Sequence, residues 1–200
     1  MSDLKSGVAA AVLAVMGSAV AAIGAETCHA DRPGYDLTAR EAQAVYDCIA
    51  DSLQAGYESG DTRWIPADYV AGYRAWTKAS THPAAPGFHT NRFLLTWVND
   101  VGAEVYLQYA EDPVIPPGTV IAKESFSVDD DGAVRPGPLF LMEKTAAGQA
   151  PETGDWYYMA ISAAGAPMAV NVRAACHECH SGFAHQGMLG YPVEEARVPR

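Results

Sequence analysis

The stretch that most constrains this chain is Cys176-His177-Glu178-Cys179-His180, near the end of 200 residues. Two cysteines three positions apart fall on one face of a helical turn, and a histidine follows the second directly. This is the C-x-x-C-H spacing that attaches c-type haem. The thiols of Cys176 and Cys179 can reach the two vinyl groups of one porphyrin, and His180 can turn its imidazole under the iron as proximal ligand. Two thioethers fix the macrocycle, while the histidine sets the electronics of the iron. Two plainer readings of C-x-x-C compete. A structural zinc site needs four nitrogen or sulfur ligands. His177 or His180 supplies one more, but there is no second C-x-x-C, and Cys28 and Cys48 lie far upstream. A redox dithiol of the thioredoxin kind belongs at an early strand-to-helix turn of a βαβ unit, and no such pattern is present.

Haem of this kind is attached outside the cytoplasm, so an export signal matters. Lys5 and the terminal amine precede an uncharged Ala- and Val-rich run over residues 7–23, then small residues at Ala21, Ala22, Gly24 and Ala25. The run is marginal in length for a membrane span and reads as a cleaved secretory signal over residues 1–25. Residues 26–200 then form a single domain in the periplasm, with no membrane attachment after cleavage. Thr27 precedes Cys28, so no lipid-attachment box is evident. An oxidising compartment lets Cys28 and Cys48 bridge, tying the mature N-terminus to the first helix; a pair of buried free thiols is the alternative. The net charge is −11. That argues against nucleic acid, whose phosphates need a basic face, and would suit a basic, soluble redox partner.

Along the chain, Thr38-Ala39-Arg40-Glu41 is a capping box, and Val45, Cys48, Ile49 and Leu53 follow at helical spacing, with Gly56 and Gly60 marking the end. A second short helix is predicted from Pro66 to about Lys78, then a Pro- and Gly-rich loop over residues 80–87. Residues 92–98, 119–128, 139–144 and 156–161 read as strands. Asn99 or Asp100 caps a short helix through Val105, Tyr106 and Tyr109. The acidic run Asp129-Asp130-Asp131-Gly132 is a solvated turn, because it lacks the ligand spacing and closing glutamate of a calcium loop. Strands separated by turns, with helices before and after, predict an α+β fold with a mainly antiparallel sheet.

The small helical cytochromes c carry the attachment motif near the N-terminus; here it follows a sheet. That order, with Gly87-Phe88-His89-Thr90-Asn91-Arg92-Phe93, Pro117-Gly118-Thr119-Val120-Ile121-Ala122-Lys123-Glu124, Gly154-Asp155-Trp156-Tyr157-Tyr158 and the C-terminal C-x-x-C-H, resembles the cytochrome P-460 family and the related β-sheet cytochromes c′ over roughly residues 60–185. The resemblance implies one pentacoordinate, covalently attached haem c on an antiparallel sheet, commonly in a homodimer. Relatives oxidise hydroxylamine or bind nitric oxide at the open iron. It also implies that Lys123 matches a lysine bonded to a porphyrin carbon, which tunes the macrocycle, and that Arg92 matches a pocket arginine able to pair a propionate or a ligand. The expected site is therefore Cys176, Cys179, His180, Lys123 and Arg92, with His180 on the iron. Read without the family, Lys123 is an exposed strand lysine and Arg92 a surface ion-pair residue. Phe88 and Phe93 are candidates to cap the distal face.

One departure stands out. Hydroxylamine oxidation needs a base beside the substrate, which active relatives supply as a distal carboxylate; apolar Leu139 or Phe140 falls near that place here. Glu143 lies a few residues on, and Glu124 points to the opposite face from Lys123 in a regular strand. A wholly apolar pocket would favour nitrogen-oxide binding over turnover. His89 is the histidine to watch as a sixth ligand, with Met142, Met159 and Met188 as other candidates. A filled sixth position would make the chain an electron-transfer cytochrome.

Overall fold

The computed structural model describes residues 28–170 and 173–199; the export signal expected over residues 1–25 lies outside them. Helix α1 spans Ala39–Glu58 and starts as its residues dictate. The Thr38 amide donates to the Glu41 carboxylate at 2.8 Å, and the Glu41 amide donates to the Thr38 hydroxyl. Both halves of the capping box are formed. Its buried side carries Val45, Tyr46, Ile49, Leu53 and Tyr57, a stripe at three- and four-residue intervals.

That stripe packs on a six-stranded antiparallel sheet whose strands lie in chain order. They are β1 Thr77–Lys78, β2 Phe93–Val98, β3 Val120–Val128, β4 Val134–Lys144, β5 Trp156–Ile161 and β6 Pro167–Val170. Alternate residues of a strand point to opposite faces. One face gives Phe93, Leu95, Trp97, Ala122, Leu141 and Ile161 to the core under α1. The other joins Val98, Ile121, Met142 and Tyr158 to Tyr106, Ile115 and Leu189. Thr96, Lys123, Phe140 and Ala160 are directly paired across β2 to β5, so they form one row on that second face.

Four expectations are adjusted. Gly56 does not end α1: a Cβ there would lie 2.2 Å from the Ala163 carbonyl oxygen, so the glycine permits close approach of the β5–β6 turn. The second helix stops early, as α2 Ala67–Gly72 and one 3₁₀ turn, because Thr77 and Lys78 pair with β2. Helix α3 is only Ala103–Tyr106, and the Asn99 side chain does not cap it; it bonds the Gly118 carbonyl and the Val120 amide, anchoring the start of β3. Strand β4 begins five residues before the predicted Leu139, running through Pro136 and Pro138 beside a register irregularity between Glu124 and Phe126.

Two fastenings hold the helical side. Cys28 and Cys48 form the expected disulfide, 20 residues apart in sequence. Glu124, 1% exposed, pairs with Arg74 and accepts a hydrogen bond from the Tyr46 hydroxyl at 3.1 Å. Glu124 thus faces α1, as strand alternation requires of a residue beside Lys123. Among the described residues no helix is long and apolar enough to cross a membrane.

Candidate haem site

On the sheet face away from α1 lies a cavity of about 520 Å³. Its floor is the row of Thr96, Lys123, Phe140 and Ala160, with Leu94 and Tyr158 beside it. The C-terminal segment closes it. After β6 the chain makes a π-helical turn, Arg173–His177, which runs into α4 Glu178–His180. Cys176, Cys179 and His180 all line the cavity. Cys176 is half-buried and Cys179 exposed, and both are free cysteines. Burial pushes the Cys176 thiol up.

The loop after α4 does most of the positioning. The indole nitrogen of Trp156 donates to the Gly187 carbonyl at 2.9 Å, and Nδ1 of His180 donates to the Met188 carbonyl at 2.6 Å. Nζ of Lys123 donates to the Leu189 carbonyl at 3.2 Å and the Gly190 carbonyl at 2.7 Å. Four consecutive carbonyls therefore turn inward, each to a donor. A carbonyl only accepts, so Nδ1 of His180 carries the proton and Nε2 keeps its lone pair. Burial and the nearby Lys123 push His180 down to about 4. Burial pushes Lys123, 7% exposed, down to about 8.

Opposite His180 stands His89. Its ring centre is 6.2 Å from that of His180 at 73°, and it rests on Phe140 at 4.2 Å. Burial, with Lys123, His180 and Arg92 nearby, pushes His89 down to about 3, so it is neutral at pH 7. The backbone delivering it is unusual. His89, Thr90 and Asn91 have φ of 52°, 62° and 54°, three successive left-handed residues without a glycine. Arg92 stands beside this loop rather than in the cavity wall, and its Nε is buried without a hydrogen-bond partner. Phe88 lines the cavity and meets Phe183 edge-on. Phe93 does not cap it; it stacks on Phe126 in the core under α1. Neither do the two acids: Glu143 lies near Tyr69 of α2 and Glu124 pairs with Arg74, both on the helical side. No Asp or Glu is among the described residues that line the cavity.

The family model described as Cytochrome P460 matches residues 70–189. The chain belongs to the cytochrome P460 family. Its members are haem cytochromes, and the cavity is the candidate haem site. The donor set fits. One imidazole is orientated by a carbonyl on its far nitrogen, the arrangement that metal-ligating histidines commonly have. Two thiols share the wall with it, and the floor is largely apolar, as a porphyrin face requires. Against the zinc reading, no group of three His, Cys, Asp or Glu suited to a metal ion occurs among the described residues. No curated protein matches the chain.

Of the expected residues, Lys123, Cys176, Cys179 and His180 thus share one cavity, and Arg92 adjoins it. The four inward carbonyls have no side-chain signature in the sequence. Gly187 and Gly190, bracketing Met188-Leu189, were the available sign of a tight turn.

Proposed function

We propose that the chain is an exported mono-haem c-type cytochrome that carries out redox chemistry on hydroxylamine or nitric oxide. The observation carrying this reading is that the free Nε2 of His180 and the thiols of Cys176 and Cys179 belong to one cavity built on the sheet face. The haem would supply an electron acceptor and a binding place for a small nitrogen ligand. The Met188 carbonyl holds His180 to one tautomer and one rotation. Cys176 and Cys179 would fasten the porphyrin edge through thioethers. The Leu189 and Gly190 carbonyls hold the Lys123 amine in the cavity, where it would lie beside the porphyrin, and burial lowers its hold on the proton. Arg92 would meet a propionate or an anionic ligand.

A second reading, a nitric oxide carrier without turnover, is favoured by one observation. No carboxylate lines the cavity among the described residues, so the proton acceptor that hydroxylamine oxidation needs is not of that kind. Support for the periplasm comes from the Cys28–Cys48 disulfide, which an exporting route permits. The net charge of −11 suits a soluble, basic redox partner. The family tendency to homodimers extends to this chain.

Steady-state assay of the haem-loaded protein with hydroxylamine and an artificial electron acceptor decides between the two. Turnover supports the enzyme. Nitric oxide binding without turnover supports the carrier. Lys123→Ala tests the cross-link: an altered spectrum and an altered strength of haem retention are expected, and no change in either removes Lys123 from the site.

A further inference from the structure

We propose that His89 is a second axial ligand of the iron, closing the distal position opposite His180 until a small ligand displaces it. This rests on the reading that haem occupies the cavity through His180.

The spacing of the two rings carries the argument. Two imidazoles that each bond one metal at about 2 Å place their ring centres roughly 6 Å apart. His89 and His180 are 6.2 Å apart. A base that stood off to take a proton from a bound ligand would need about 2 Å more, to leave room for that ligand within hydrogen-bond reach. The spacing is that of ligation, not of general base catalysis. The rings cross at 73°, so they are not stacked on one another. Phe140, on the cavity floor, supports the His89 ring, with 4.2 Å between ring centres.

The other candidates for the position have contacts of their own. Both bonds of the Lys123 amine go to the Leu189 and Gly190 carbonyls. Met142 and Met159 also border the cavity, but each is buried in a hydrophobic cluster, Met159 in the core under α1 and Met142 beside Tyr106 and Trp156, and Met188 packs against the second of these. His82 shares a hydrogen bond with the Thr81 hydroxyl.

The loop adds a second, independent observation. Three successive left-handed, non-glycine residues at positions 89–91 are strained, and such strain persists only where surrounding structure holds it. A ligand presented by a strained loop is readily released. His89 then regulates access: the resting iron is closed, and an entering nitrogen ligand competes with one imidazole.

The test uses the full haem-loaded chain. The ferric protein is expected to give a low-spin, six-coordinate optical and electron paramagnetic resonance spectrum. His89→Ala is expected to turn it high-spin, to raise the affinity of the ferrous iron for carbon monoxide roughly 10- to 100-fold as the closed form is lost, and to return to low-spin on addition of imidazole. Pulsed resonance of wild-type protein with nitrogen-15-labelled histidine needs no variant: two coordinated imidazoles are expected. A high-spin wild type, one imidazole, or a low-spin spectrum unaffected by His89→Ala overturns the proposal and leaves the haem reading intact. A chain that acquires no haem overturns both.

Discussion

Gly187, Met188, Leu189 and Gly190 illustrate how much of this site depends on backbone rather than side chains. Their carbonyls fix Trp156, His180 and Lys123 at once. Gly190 has φ of 53°, and a Cβ on it would lie 3.6 Å from Nζ of Lys123. Gly190→Ala should therefore destabilise the protein by about 1–2 kcal/mol through left-handed strain alone, measured as a lower urea midpoint. The state of Lys123 has its own signature. With a free amine, the folded chain loses its proton near 8 and the unfolded chain near 10.5. Between those values the unfolded chain binds more protons, so stability rises with pH. That rise is expected to vanish in Lys123→Met, and to be absent from wild type if the amine is bonded to the porphyrin; denaturation midpoints from pH 8 to 10 report it. At this scale the sequence was partly legible. Alternation along β3 separates Lys123 from Glu124 without any structure. The approach of His89 to His180, 91 positions later, depends on a left-handed loop that its residues announce only weakly, since Asn and His tolerate that region but no glycine is present.

At the scale of elements, α1 and the middle strands are readable because their patterns are strong. The capping box and the stripe from Val45 to Leu53 state a helix, and β-branched runs state β3. The short elements were not readable. Thr77 and Lys78 become a strand only because Trp97 and Val98 offer them an edge, and the first half of β4 is hidden by Pro136 and Pro138. The joint between α1, α2 and β3 is the buried Arg74–Glu124 pair, which keeps the guanidinium charged by its contact with the carboxylate. Removing one partner strands a buried charge, so Arg74→Ala is expected to lose about 3–5 kcal/mol. Glu124→Leu added to it should recover a large part, and a double-mutant cycle by chemical denaturation measures the coupling. Cys48→Ser releases the start of the described chain from α1 and should lower stability by about 2–4 kcal/mol under non-reducing conditions.

At the scale of the molecule, one sheet divides the labour. Its first face is a conventional core, sealed by α1. Its second face meets the C-terminal turn and loop across a cavity of about 520 Å³. The strand that gives Glu124 to the first face gives Lys123 to the second, so the same strand carries both the structural pair and a site residue. The α+β class with an antiparallel sheet follows from strand and turn spacing. The cavity does not, because it depends on how far the segment after His180 folds back. Family membership makes the chain a haem cytochrome, and the claim of covalent attachment at Cys176 and Cys179 is the one on which the rest depends. Its most direct test is the mass and absorbance of the denatured protein purified from cells able to mature c-type cytochromes. The account predicts one haem that remains bound to the unfolded polypeptide and is lost from the double variant Cys176→Ala, Cys179→Ala. A colourless chain of bare polypeptide mass would contradict it.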